Sequence, residues 1–277
     1  MQTLYHFVLL LGLFCMTAST SFSDSYQSAD AAMIDYETTG TGAPFVLLHS
    51  GMMSREDMRV QIEYFSDFYQ VIAIDAREQG RSSSSTTQIG YAIMAADVVG
   101  ILDDLNIEKA SIFGQSDGGI TALMAAHHYP DRLEKLIIHG AVYNFEAYPI
   151  SQREGWLNIT WDADSESANN PNGFPGMAIE HYLLDRGNLN NFEAHLQEMA
   201  RMWATSPNLN KDDLNNINVP TLVIVGDHYD ISIPHTVEMH EALGNSELFV
   251  APGATHFIHQ EKPKLLHRVI HDFLKTS

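Results

Sequence analysis

The stretch Gly114-Gln115-Ser116-Asp117-Gly118-Gly119 decides how the rest of the chain reads. It follows a short apolar run, ASIFG, that predicts a strand. It leads into GGITALMAAHHYP, whose small and apolar residues predict a helix ended by Pro130. Glycines on both sides of Ser116 suit a sharp strand-to-helix turn, in which the backbone is strained at the serine and neighbouring side chains would clash. Such a turn lifts a hydroxyl above the carboxyl ends of the strands, where open parallel sheets place their sites. Five residues recur by chance, so the weight falls on the strand–turn–helix context. Asp117 is the puzzle, because acyl transfer builds negative charge beside a residue that already carries one.

Outward from that turn, buried-strand runs alternate with helical periodicity. AAMIDYETTGTGAP reads as an edge strand and a Gly-rich turn, after a polar, flexible lead-in SDSYQSAD. FVLLH (Phe45–His49) is a continuous apolar run and VIAID (Val71–Asp75) another, as expected of strands buried on both faces, while ASIFG and LEKLIIHGAV read as further strands. REDMRVQIEYFS and YAIMAADVVGILDDL lie between them with helical spacing. The alternation predicts an α/β fold: a mostly parallel central sheet flanked by helices, with right-handed crossovers. From Tyr143 to Asn218 no strand-like run occurs, and GMAIEHYLLDR and NFEAHLQEMARMWA read as helices. An insertion of this length between strands predicts a helical cap over the sheet. VPTLVIVGD (Val219–Asp227), ELFVAPGATHF and the amphipathic PKLLHRVIHDFLK then close the core. The expected division is a signal peptide over 1–23, a first core part over 24–142, a cap over 143–218 and a second core part over 219–277.

The first residues, MQTLYHFVLLLGLFCMTASTSFS, contain no Asp, Glu, Lys or Arg. The run Phe7–Met16 is too short to span a bilayer, and small residues follow it, so it reads as a secretory signal cleaved near Ser23. A secreted or periplasmic protein without stable membrane insertion is the expectation; an uncleaved anchor or a mis-started reading frame is the alternative. Cys15 is the only cysteine, so the mature chain would hold no disulfide and no thiolate metal site. The 277 residues suffice to bury about 75% of the unfolded surface without such staples. Asp and Glu number 35 against 15 Lys and Arg, a net charge of −20, which argues against nucleic acid and anionic lipid.

A serine hydroxyl needs a base to act as a nucleophile. His256, in the loop GATHF after a late strand, has the chain order expected of that base; His259 is a competitor. A carboxylate must orient the base and stabilise its charged form. The loop GDHYDISIP offers Asp230, deep in the loop, and Asp227, better placed to brace the turn. The oxyanion needs two N–H donors: Asp117, which follows the nucleophile, and one from His49-Ser50-Gly51-Met52, with Gly51 ahead of Met52. Trp156, Trp161, Trp203, Met199 and Met202 are candidates for an acyl pocket or for plain core. His267 and His271, four apart on the last helix, are read as a solvated face rather than a metal site. Asn158-Ile159-Thr160 is a sequon that matters only in a eukaryotic secretory pathway. No metal or cofactor is implied.

With these residues in place, the chain resembles the α/β-hydrolase superfamily from about residue 31 onward, on LLHSG, DAREQGRS, GQSDGG, PTLVIVGD, DISIP and GATHFIHQEKP. The segment GQSDGGITALMAAHHYPDRLEKLIIHGA resembles the valacyclovirase (biphenyl hydrolase-like) branch and related carboxylesterases. The resemblance implies a Ser116–Asp230–His256 triad and a helical cap, and the reading as a whole is a serine hydrolase acting on a small-molecule carboxylic ester. Ser50 and Thr255 stand where that superfamily usually has glycine. A serine at the nucleophile position argues against haloalkane dehalogenases and epoxide hydrolases, which use Asp there. Lactone, amide and carbon–carbon hydrolysis are alternatives on the same triad, and a non-catalytic binding protein is the rival outside enzymes. For the Asp117 carboxylate the expectations are complementing the helix dipole or contacting a cationic substrate group.

Overall fold

Alternate side chains of the central strands leave the sheet in opposite directions, and both sides are covered. The computed structural model describes residues 21–161, 174–229 and 233–276. Its strands are β1 (Phe22–Gln27), β2 (Met33–Thr39), β3 (Pro44–Leu48), β4 (Gln70–Ile74), β5 (Ala110–Gln115), β6 (Leu133–His139), β7 (Thr221–Gly226) and β8 (Ser246–Ala251). They form one sheet in the order β1-β2-β4-β3-β5-β6-β7-β8. The β1–β2 and β2–β4 pairs are antiparallel, and every pair from β4 to β8 is parallel.

The helices are α1 (Arg59–Phe65), α2 (Tyr91–Asp104), α3 (Asp117–His128), α4 (Ile150–Leu157), α5 (Phe174–Arg186), α6 (Phe192–Thr205), α7 (Lys211–Asn215), α8 (Ile233–Ala242), α9 (Ile258–Glu261) and α10 (Pro263–Lys275). Val46, Leu48, Ile72, Ile74 and Ile112 pack with α2 and α3 on one face. Phe45, Leu47, Val71, Ala73 and Phe113 pack with α1 and α10 on the other. Both faces are therefore core, which explains the unbroken apolar runs; each such side chain stabilises by about 1.5–3 kcal/mol. On α10, Leu266, Ile270 and Phe273 form the buried stripe, and Pro263 occupies the first turn, where its missing N–H costs nothing.

The structure corrects four expectations. AAMIDYETTGTGAP is no edge strand, because β2 pairs with β1 on one side and β4 on the other. SDSYQSAD is not a flexible lead-in, since most of it forms β1. This is an edge strand exposed on nearly every residue, so no apolar alternation marks it. Helix α8 was not anticipated between β7 and β8. His267 is no solvated side chain. It stacks on Tyr64 at 4.1 Å between ring centroids, and burial lowers its pKa to about 4.

The expected signal peptide lies outside the described residues except for 21–23, and Ser23 is the second residue of β1. Among the described residues no helix is long and apolar enough to cross a membrane.

Candidate active site

β5 ends at Gln115 and α3 begins at Asp117, so Ser116 alone makes the turn, with φ 54° and ψ −118°. A positive φ is costly for a residue with a Cβ, on the order of 1–3 kcal/mol, and persists only where the surroundings enforce it. Here they do. A Cβ on Gly114 would lie 2.1 Å from the Gly118 carbonyl oxygen, and one on Gly118 would lie 2.3 Å from that of Leu48. Ser116 N–H donates to the His139 carbonyl at 2.8 Å, fixing the elbow to the end of β6.

Ser116 opens on a cavity of ≈ 330 Å³ that Gly51, Asp117 and His256 also line. Tyr148, Trp156, Trp203, Tyr229 and Phe257 form its aromatic walls, and no Lys or Arg is among its lining residues. Of the candidate pocket residues, Trp156 and Trp203 face this space. Met199 and Met202 are fully buried core, and Trp161 packs on Phe192.

The His256 ring stacks on Tyr229 at 4.3 Å, nearly parallel. Burial pushes its pKa down to about 3, with repulsion from His259 adding to the shift, so the ring is neutral at pH 7, as a base must be. Gln115 Nε2 lies 3.1 Å from His256 Nε2 and also donates to the His256 carbonyl at 3.3 Å. An amide N–H donating to Nε2 places the imidazole proton on Nδ1, the tautomer in which Nδ1–H can donate to a carboxylate. His256 Nδ1 is buried and has no partner among the described residues. No hydrogen bond joins Ser116 to His256 in this arrangement, although both line one cavity. Asp230, the expected carboxylate, lies outside the described residues. Asp227 accepts from the Ala254 N–H at 3.3 Å and so braces the histidine loop.

That loop has a second brace. Thr255 donates from N–H and hydroxyl to Glu261 on α9, at 2.9 and 2.6 Å, which gives its departure from glycine a structural use. Beneath lies a buried row of imidazoles. His139 is 6.1 Å from His256 and 6.2 Å from His259 between ring centroids. His259 Nε2 meets Asp57 Oδ2 at 3.1 Å, and burial and this pairing pull oppositely on Asp57, whose pKa ends at about 2. His259 is thus already engaged with a carboxylate away from the cavity.

The two oxyanion-loop candidates differ. Met52 N–H donates to Gln79 Oε1 at 2.6 Å and is spent. Gly51 N–H makes no hydrogen bond among the described residues, and Asp117 N–H is one of the free donors at the start of α3. His49 holds this loop: its Nδ1 lies 2.7 Å from the Ser50 carbonyl, and its Nε2 accepts from Ala76 N–H.

The Asp117 carboxylate is committed to neutral partners. Oδ1 accepts from Tyr91 hydroxyl at 2.8 Å and Oδ2 from Trp203 Nε1–H at 2.7 Å. Burial raises its pKa to about 6, and those two bonds oppose the rise. Sequence reasoning missed Gln115, Tyr91 and Tyr229. Only Gln115, inside the motif, stood near a signal. Besides the Trp203–Asp117 bond, two cap helices reach core backbone carbonyls: Arg186 of α5 donates to those of Glu78 and Ser82, and Arg201 of α6 to that of Ile89.

Comparison with known proteins agrees with this fold. Residues 43–170 match the family described as alpha/beta hydrolase fold. A putative esterase/lipase of Haemophilus influenzae is 25% identical, covering 84% of this chain and 83% of that protein. The human serine hydrolase BPHL is 25% identical, covering 92% of this chain and 88% of that protein. An esterase structure from Exiguobacterium antarcticum superposes with TM-score 0.76 at 21% identity, covering 92% of this chain and 100% of that one. The sheet order, the elbow and these relatives together identify the chain as a hydrolytic enzyme of α/β-hydrolase fold.

Proposed function

We propose that the protein cleaves carboxylic esters of small to medium size through an acyl-enzyme on Ser116. The observation that carries this is the forced positive φ of Ser116, which presents its hydroxyl to an aromatic-walled cavity shared with a neutral His256. In the proposed cycle His256 Nε2 leaves Gln115 and accepts the Ser116 proton as the oxygen attacks the ester carbonyl. The carbonyl π pair moves onto oxygen, where the N–H groups of Gly51 and Asp117 receive it. Collapse expels the alcohol, which takes the proton from His256. Water, deprotonated by the same ring, then attacks the acyl-enzyme; collapse breaks the bond to Ser116 Oγ, which takes the proton back from His256, and the acid leaves. Asp230 orients His256 through Nδ1–H.

Aromatic walls without a cation favour neutral, preferably aromatic, acyl or alcohol groups, and a net charge of −20 disfavours anionic substrates. We further propose export directed by the N-terminal apolar run. A fluorophosphonate probe tests the chemistry. Wild type should be labelled and Ser116→Ala should not; an unlabelled wild type overturns the proposal, and a labelled variant moves the nucleophile. A panel of p-nitrophenyl esters, lactones and amides then ranks the substrate classes.

A further inference from the structure

The Asp117 carboxylate lies against Gly51, whose N–H is one of the two assigned to the oxyanion. A Cβ on Gly51 would lie 2.1 Å from Asp117 Oδ2 and 3.1 Å from the Trp203 ring, so the carboxylate and the indole are both packed against the Gly51 backbone. An ionised carboxylate there is a competitor for the hole. It can accept the same N–H groups that a tetrahedral intermediate needs, and its charge opposes the intermediate's own. Tyr91 and Trp203 each hold one carboxylate oxygen. Tyr91 opens α2 of the core, whereas Trp203 lies near the end of α6 in the cap.

We propose that Trp203 and Tyr91 are positioning residues that restrain the Asp117 carboxylate from entering the oxyanion hole, so that seating of the cap sets the competence of the core site. The inference rests on the acyl-transfer function proposed above. It assigns the Trp203 N–H a role apart from the wall its ring supplies. Removing that N–H frees Oδ2 to swing toward Gly51, which lowers the rate on every substrate. Removing the ring weakens binding of large substrates only.

The test is Trp203→Phe, which keeps a ring and loses the donor, assayed on p-nitrophenyl acetate and on a p-nitrophenyl ester of a bulky aromatic acid. Because a donor lost outright costs about 10²–10³ in rate, a donor contested by a carboxylate should cost roughly 10- to 100-fold in kcat. The fall should appear on both esters, with KM on acetate unchanged. Tyr91→Phe should reproduce it from the core side. In an Asp117→Ser background, which keeps the backbone N–H, Trp203→Phe should cost less than twofold, because no carboxylate is left to restrain. Unchanged kcat on acetate with raised KM on the bulky ester alone would make Trp203 a wall and overturn the proposal, as would an undiminished penalty in the Asp117→Ser background. Should Trp203→Phe fail to fold, Tyr91→Phe with and without Asp117→Ser decides on the same readout. Fluorophosphonate labelling of wild type separates either failure from failure of the acyl-enzyme itself.

Discussion

The sheet's carboxyl edge and the cap helices above it are built on different principles. At the edge, backbone decides: Ser116 is held at positive φ, Gly118 is crowded by a β3 carbonyl, and Met52 N–H is taken by Gln79. In the cap, side chains decide: α4 has no buried residue, Leu157 is 57% exposed and Leu184 of α5 is 63% exposed. The cap contributes Trp156 and Trp203 to the cavity and little to the core beyond α6. Chemistry is therefore held mainly by close-packed backbone and selection mainly by side chains of a thinly buried layer, with Trp203 of the buried α6 the cap residue that reaches across to the core.

The largest effect expected of this contrast is at Ser116. Ser116→Ala should reduce ester turnover by about 10⁴-fold or more, with unchanged melting in circular dichroism. A smaller loss would take the chemistry away from the elbow. Gly118→Ala should come next. Its methyl group meets the Leu48 carbonyl, so we expect a loss of roughly 3 kcal/mol in urea unfolding together with loss of activity. Unchanged stability would break the claim that backbone crowding holds the turn.

Trp156→Ala tests the other side. KM for a bulky aromatic ester should rise about 10- to 50-fold from the lost ring contacts, with kcat on p-nitrophenyl acetate within twofold. Falls of equal size on both esters would show that the cap layer is not separable from the chemistry at this position.

The smallest effect lies on the far face, at His267. Its folded pKa, about 4, is below the unfolded value, so the unfolded chain binds more protons between those limits. Its stabilising contribution is complete above about pH 6.5 and is lost as pH falls toward 4. Wild type should lose about 1–2 kcal/mol between pH 7.5 and 5 from this group, and His267→Phe should show a correspondingly smaller fall in Tm. An identical fall in both would remove the burial argument.

What the sequence made legible follows the same division. Runs such as FVLLH and VIAID announced strands because both faces are buried, and the Gly-rich turn announced the elbow because only glycine fits there. β1 escaped because an exposed edge strand has no apolar face to display. The ties of Asp117 escaped for a different reason. Tyr91 and Trp203 are 26 and 86 residues distant, and nothing local marks an indole N–H that will meet a carboxylate. Likewise, Gly51 and Met52 could be separated only once Gln79, 27 residues beyond Met52, was found to occupy one of them.

The arginine anchors of the cap carry a consequence for how such an enzyme diversifies. Arg186 and Arg201 bind carbonyl oxygens of residues 78, 82 and 89, groups that every amino acid possesses. Substitutions at these three positions leave the acceptors in place. Of the three, Ser82 and Ile89 are buried and only position 78 can vary at little cost to packing, so this fastening tolerates change there while the Trp203–Asp117 bond holds the cap independently.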